Sequence, residues 1–462
     1  MEKLVCNSLS FFLENNNLFY KHQYGFRRNH STIHPIIQFL NKVSLASNSQ
    51  EYSIAIFCDL QKCFDTLDRE ILLSKLEYYG IRNMALEWFK NYFVGRFQYV
   101  EVNNVLSNTE QSTRGVIQGS ILGPLFSNLY LNDLHKVLNQ MTLYSFADDS
   151  KLYYSNKSLD NLISVANSEF RAVAQWMRAN KLRLHPEKSK YMIFCPKQKR
   201  INLDICHVFL NNNDIQGIQE ENPALINEIS FLNLEDNPCA RFLGLYLDPH
   251  LTFKNHIEHL ARKISKSLYI IKSKKNLLPS FALRNLYFTL IHSHLVYTIE
   301  AYGCANKTAL QPLVKMQKKA IRCISGARYN AHTTPLFKQL SILRLEDMIE
   351  FFQTVFMYKF DHKKLPSSFD SVWTPKNEVL SLANFSLRNA LDLYVITPRT
   401  EFVKKLPLIR FPSLWNNLDI DLRQTWPPAM FKKELKKYFL EKLQQNSCQN
   451  PFCPDCFANF TA

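Results

Sequence analysis

The sequence predicts an α+β fold, in which a first half of mixed strands and helices is followed by helical modules. Three observations carry this. Short, mostly apolar runs alternate with amphipathic stretches up to about residue 250. Beyond it the apolar spacing turns helical, over 255–275, 280–297, 308–324, 345–360 and 428–444. Apolar residues make up 46% of the 462, enough to bury large cores. The expected divisions are 1–250, 251–330 and 331–462, the last beginning at a His-Thr-Thr-Pro segment.

In chain order, residues 4–20 carry Leu4, Val5, Leu9, Phe12 and Leu13 at helical spacing. A loop from Tyr24 to Thr32 leads into a helix from about Pro35 to Ala46, which Ser31 or Thr32 can cap. Tyr52 to Cys58 reads as a buried strand ending at Asp59. Asp68 caps a helix from Arg69 to Tyr79, and Gly80 ends it. Met84 to Val94 is a further helix, and Phe97 to Val105 a hairpin strand with Asn103-Asn104 near its turn. Thr113 to Ser120 is a glycine-bearing loop, after which a helix with Pro124 in its first turns extends to about Leu138. Leu143 to Tyr154 reads strand, tight turn, strand, with Asp148-Asp149 at the turn. Ala166 to Lys181 is an amphipathic helix, and Tyr191 to Phe194 and Ala240 to Leu247 are strands.

Lys and Arg number 56 against 40 Asp and Glu, a net +16, which points to a polyanionic partner such as nucleic acid. The charge is uneven. Between Lys254 and Arg328, fourteen Lys and Arg face two acids, so 75 residues hold +12 of the +16. Such a stretch favours a surface that tracks phosphates. Eleven scattered cysteines do not form a disulfide framework, and a reducing compartment, nucleus or cytoplasm, is expected. No apolar run reaches the roughly 18 residues of a membrane span, and the N-terminus has no signal-peptide pattern. No membrane partner is expected.

Asp59 stands at the end of a buried strand, where an acid is costly unless it is paired or binds a cation. Asp148 and Asp149 are adjacent acids at a hairpin tip between apolar, aromatic strands. Helix capping or surface ion pairing would explain either site alone. Together they suit Mg²⁺, with Mn²⁺ as the alternative, because hard cations prefer carboxylate oxygen. Two such ions about 3.5–4 Å apart activate a hydroxyl and stabilise a leaving pyrophosphate. Glycine is scarce, at ten residues, yet Gly115, Gly119 and Gly123 fall within nine positions.

At these residues the sequence resembles a known family. Asp59-Leu60-Gln61-Lys62-Cys63-Phe64-Asp65-Thr66-Leu67-Asp68 is similar to the first palm motif of reverse transcriptases from non-LTR (LINE-type), especially Jockey-like, retrotransposons. Arg114-Gly115-Val116-Ile117-Gln118-Gly119-Ser120-Ile121-Leu122-Gly123-Pro124-Leu125 resembles the second, with Ile117 where relatives usually have proline. Phe146-Ala147-Asp148-Asp149 resembles the third, Leu182 to Lys190 the fourth, and Phe242-Leu243-Gly244-Leu245 the fifth. Tyr24-Gly25-Phe26-Arg27 upstream, and Met316 to Arg322 and Leu414-Trp415-Asn416 downstream, also match, so the resemblance covers nearly the whole chain.

The resemblance implies a right-hand polymerase palm with truncated fingers in 1–250, a basic helical thumb in 251–330 and a helical C-terminal region. It implies an RNA template, a DNA primer and deoxynucleoside triphosphates as partners, with Asp59, Asp148 and Asp149 as metal ligands. Phe64 would crowd a ribose 2′-hydroxyl, although core packing also explains a phenylalanine. Gln118-Gly119 would position the incoming nucleotide, although the turn also suits a plain helix cap. Arg27 would grip the triphosphate. Lys188 would protonate or neutralise the pyrophosphate, an exposed loop lysine being its other reading. Lys263, Lys266, Lys274 and Lys275 would follow the nucleic-acid backbone. The motifs begin inside the family's fingers, and no endonuclease or ribonuclease H pattern is present. A catalytically silent or domesticated fragment that binds nucleic acid therefore stands as the alternative. Cys448, Cys453 and Cys456 read as free thiols, or as three ligands of a zinc knuckle that His207 would complete.

Overall fold

The computed structural model describes residues 1–196, 199, 201, 206–211, 226–234, 238–380 and 392–445. Cys448, Cys453 and Cys456 lie outside them. The chain forms two compact units. The first holds Met1–Pro35 and Ser49–Pro238, and the second holds Ile36–Asn48 and Cys239–Ala462.

Helix α1 (Glu2–Asn15) opens the first unit, stopping short of the expected residue 20. Helix α2 (Ile33–Asn48) leads to strand β1 (Tyr52–Cys58), a run of β-branched and aromatic residues buried from Ser53 onward. Asp68 caps α3 (Arg69–Tyr78), its carboxylate accepting from the amides of Glu70 and Ile71. Helix α4 (Asn83–Phe93) follows. The expected strand beyond it is a broken ribbon that pairs Phe97–Gln98 with Glu110–Gln111 and Glu101–Val102 with Val105–Leu106. Asn103 and Asn104 both take positive φ at its tip, which suits a two-residue turn.

Helix α5 (Gly123–Leu131) is almost wholly buried and passes into a 3₁₀ turn, Leu134–Val137. Strands β2 (Thr142–Phe146) and β3 (Asp149–Asn156) form the hairpin. Helix α6 (Leu159–Ala179) starts seven residues before the expected Ala166, because Ser158 caps it. Strands β4 (Lys190–Phe194) and β5 (Ser230–Phe231) complete a five-stranded sheet of order β5-β4-β1-β3-β2. Only the β5–β4 pair is parallel. Leu162, Ala166 and Phe170 of α6, Leu152 of β3 and Ile54 of β1 share one core and are fully buried. Burying each large apolar side chain of this core contributes about 1.5–3 kcal/mol.

In the second unit the expected strand Ala240–Leu247 is a hairpin, β6 (Ala240–Phe242) and β7 (Leu245–Leu247). Leu243 and Gly244 turn at positive φ between them, which breaks the run. Helices α7 (Lys254–Lys274) and α8 (Ser280–Tyr287) follow. The helical path expected over 280–297 continues from α8 through a π turn, Phe288–His292, into Ser293–Val296. Helices α9 (Lys307–Ile324), α10 (Leu345–Asp361), α11 (Pro407–Asn416) and α12 (Pro428–Gln445) build the rest. Buried Gln317 ties these together, donating to Tyr287 Oη and the Leu343 carbonyl, both at 3.0 Å, and accepting from Leu345 N at 2.8 Å. Among the described residues, no helix is long and apolar enough to cross a membrane.

Candidate active site

The sheet register brings the three aspartates to one edge. In the antiparallel β1–β3 ladder Cys58 faces Ser150, so the next step along that register sets Asp59 opposite Asp149. In the β2–β3 ladder Phe146 faces Asp149, which leaves Ala147 and Asp148 as the turn. Asp148 is half-buried, and its carboxyl is raised above the ordinary value by desolvation, then by the charges of Asp149 and Asp59. Burial likewise pushes the neighbouring Cys58 and Cys63 thiols up to about 12, so both stay protonated at neutral pH.

Asp59 is held from another segment, and Asp149 from two residues along its own strand. Asp59 N donates to Ser189 Oγ at 3.2 Å, and its carbonyl accepts from His185 N at 2.9 Å. Asp149 pairs with the Lys151 ammonium, which is 2% exposed and lies 5.7 Å from the Phe57 ring centroid. Among the described residues, no three His, Cys, Asp or Glu side chains are gathered closely enough to share one metal ion. The donor set nonetheless fits a hard divalent cation. The register puts three carboxylates at one end of the sheet, burial and its acidic neighbours disfavour the charge of Asp148, and a cation there would relieve both effects.

A residue that sequence reasoning passed over, Gln23, holds the turn. Ala147 adopts φ 57°, a conformation that costs an L-residue about 1–2 kcal/mol. Gln23 clamps it. The buried Oε1 accepts from Ala147 N at 3.1 Å and from Gly25 N at 2.9 Å, and Nε2 donates to the Ala147 carbonyl at 3.3 Å. Gly25 lies so close that a Cβ there would stand 2.2 Å from Ala147 N. The Gly25 carbonyl in turn accepts from Asn128 Nδ2 at 2.6 Å. Nothing in sequence spacing relates residue 23 to residue 147. The one available signal was a glycine in a glycine-poor chain.

The second motif docks on the first. Gly115 N donates to Leu67 O at 2.8 Å and Val116 N to Phe64 O at 2.9 Å. Gln118 Nε2 donates to Asp65 Oδ1 at 2.5 Å, and Gly119 is exposed at φ 78°. Phe64 is half-buried and meets the exposed Phe26 ring edge-on, 6.4 Å between centroids. Arg27 is already engaged. Nε and Nη2 donate to Glu14 at 2.9 and 2.6 Å, Nη1 to the carbonyls of Tyr20 and Gln23 at 3.1 Å, and the fork lies over Phe19. A phosphate contact by Arg27 would have to displace Glu14.

A cavity of about 790 Å³ opens beside Asp59, and Lys188 lines it. Lys263, Lys266, Lys274 and Lys275 belong to the second unit, exposed along α7 and just past its end.

Residues 1–247, more than half of the chain, match the family described as reverse transcriptase (RNA-dependent DNA polymerase). This chain belongs to that family. The fold is thus a polymerase fold of mixed helix and strand, in a reverse transcriptase family that generally uses divalent metal ions. The resemblance to Jockey-like, non-LTR reverse transcriptases also holds among curated proteins. The chain is 25% identical over 365 residues to the probable RNA-directed DNA polymerase from transposon BS of Drosophila melanogaster, covering 75% of this chain and 37% of that one. It is 24% identical to that of the X-element, covering 75% and 36%, and 25% identical to that of mobile element jockey, covering 76% and 37%, both from the same organism. The chain therefore spans little more than a third of these relatives. Among solved structures, telomerase from Candida albicans in complex with a TWJ fragment of telomeric RNA aligns over 73% of this chain and 55% of that one. Its TM-score is 0.36 and its identity 13%, a likeness too distant to carry weight.

Proposed function

We propose that this reverse transcriptase chain is the RNA-directed DNA polymerase of a Jockey-like, non-LTR retrotransposon, extending a DNA 3′-hydroxyl along an RNA template. The observation that carries the reading is the register that sets Asp59 opposite Asp149 and puts Asp148 in the adjoining turn, within a chain of this family. Residues 1–250 are read as fingers and palm, 251–330 as thumb and 331–462 as a helical C-terminal region. Asp59, Asp148 and Asp149 would hold two Mg²⁺ ions, or Mn²⁺, which when bound activate the primer hydroxyl and stabilise the leaving pyrophosphate. Gln23 and Gly25 keep Asp148 at the turn. Phe64, fixed by the Val116–Phe64 hydrogen bond, would stand against the sugar and exclude a 2′-hydroxyl. Gln118 and Gly119 would bring backbone up to the base being paired. Lys188 would deliver a proton or charge to the departing pyrophosphate. Lys263, Lys266, Lys274 and Lys275 would follow the phosphates of the duplex.

Primer extension on an RNA template tests this. Wild type is expected to extend with deoxynucleotides, and Asp148→Ala to lose at least about a thousandfold in rate, the scale of a lost electrostatic element of the transition state. Extension that persists in Asp148→Ala would sink the assignment. A wild type that binds primer–template without extending it would be the silent nucleic-acid binder instead. Phe64→Val is expected to admit ribonucleotides, and unchanged sugar discrimination in single-nucleotide incorporation would remove the gate role.

A further inference from the structure

Arg69 opens α3, and a cation in the first turn of a helix has the sign that the helix dipole disfavours. The structure gives that charge a compensating use. Asp68 steadies its root, capping α3 through one carboxylate oxygen and accepting from Lys181 Nζ at 2.6 Å through the other. A guanidinium has five N–H donors, and here every one is taken. Nε donates to Gly115 O at 2.9 Å. Nη1 donates to Phe93 O at 3.3 Å and to Ser112 O. Nη2 donates to Ser112 Oγ at 2.9 Å and to Arg114 O at 3.1 Å. All the acceptors are neutral carbonyl or hydroxyl oxygens, so the side chain tethers backbone and forms no ion pair. One anchor is firm: Phe93 ends α4, where a carbonyl lacks its helical partner, and its buried ring lies 5.3 Å from Arg69 Cζ.

The tethered segment needs such a hold. Residues 112–116 belong to no strand or helix, so no ladder sets their path. Three of their carbonyls gather on Arg69, and the amides of Gly115 and Val116 dock on Leu67 O and Phe64 O. On the other side the fit is already tight. Gly115 sits at φ 74°, and a Cβ there would stand 2.6 Å from Asp65 O. The segment runs straight on into Gln118 and Gly119. We propose that Arg69 is a positioning residue for the incoming nucleotide. By fixing residues 112–116 it sets both the Gln118-Gly119 turn and, through Val116, the place of Phe64. The role rests on the polymerase reading above; the tether itself does not.

The test is single-nucleotide incorporation by the full chain on a primed RNA template, for wild type, Arg69→Gln and Arg69→Lys. Arg69→Gln is expected to raise the KM for deoxynucleotide about tenfold or more with kcat little changed, the split that marks a lost substrate contact. Its preference for deoxynucleotide over ribonucleotide is expected to narrow about tenfold, because Phe64 loses its fixed neighbour. Arg69→Lys has three donors where the guanidinium has five, and is expected to recover part of both. A residue that only stabilised the fold would change the amount of active protein, and so kcat, but neither KM nor the sugar preference. Amide exchange over residues 112–118 is expected to quicken in Arg69→Gln while the rest of the chain keeps its protection. Wild-type KM and sugar preference in Arg69→Gln overturn the proposal and leave the polymerase reading standing. If Arg69→Gln does not fold, Arg69→Lys decides on the same two readouts. If wild type extends no primer, the polymerase reading fails and the nucleotide role falls with it. Exchange then judges the tether alone, upheld by quickening confined to residues 112–118 and removed by none.

Discussion

Gln23 shows how much of this site depends on a residue that carries no chemistry of its own. Its amide satisfies both sides of the Ala147 peptide and the amide of Gly25, while itself only 2% exposed. Gln23→Ala would strand these groups, at about 1–3 kcal/mol for each buried partner left unsatisfied. The expected outcome is a stability loss of about 2–4 kcal/mol by urea unfolding. Primer extension should show kcat reduced about tenfold or more, with the KM for nucleotide little changed, because the turn and not the substrate contact is released. Gln23→Glu keeps the acceptor and loses the donor, and should recover part of the kcat. A wild-type kcat in Gln23→Ala would remove the clamp from the mechanism. The acids were legible in the sequence because adjacent carboxylates between apolar strands are conspicuous. Gln23 and Ser189 were not, because each acts through a contact that only the register of separate segments creates. Arg27 was legible as an arginine near the site, but its engagement with Glu14 depends on a helix thirteen residues upstream.

At the scale of elements, α7 divides cleanly into two faces. His256, Ile257, Leu260, Ile264, Ser267 and Ile271 are buried at helical spacing, and Lys263 and Lys266 lie on the exposed side. If that side meets phosphates, neutralising Lys263, Lys266, Lys274 and Lys275 together should lower the slope of log affinity against log salt by about 3, at roughly 0.7–0.9 per contact. Filter binding of a primer–template between low and moderate salt checks this, and an unchanged slope would move the contact elsewhere. The same periodicity made α7, α9, α10 and α12 readable from sequence to within a residue or two. Where periodicity was cut, the reading missed. Gly244 splits one expected strand into a hairpin, and a π turn takes up the register of the run after α8. Helix α11 went unseen because it carries two prolines, one opening it at Pro407 and one inside it at Pro412.

At the scale of the molecule, the second unit holds a half-buried acid with a measurable signature. Burial pushes the Glu300 carboxyl from 4.5 up to about 7, with Lys359 offsetting part of the effect. A carboxyl raised in the folded state is most stabilising when protonated. That contribution is whole below the unfolded value near 4.5 and is lost as pH climbs through about 7. Urea unfolding should show wild type losing of order 2 kcal/mol across that window relative to Glu300→Gln, which is neutral throughout. Parallel pH profiles would exclude an ionisation cost at Glu300. The unit containing it is also discontinuous, because Ile36–Asn48 belongs to it while the next residues of the chain do not. Within it, the Phe39 ring meets Phe242 edge-on, 5.8 Å between centroids, and Gln38 Nε2 donates to the Ser368 carbonyl at 2.7 Å. A ribosome adding about 5–20 residues per second would emit Phe39 some ten to forty seconds before Phe242. For that interval an apolar helix with Ile36, Ile37, Phe39 and Leu40 on one side must travel without its partner, so slow translation or a scarce chaperone would tell first on the second unit.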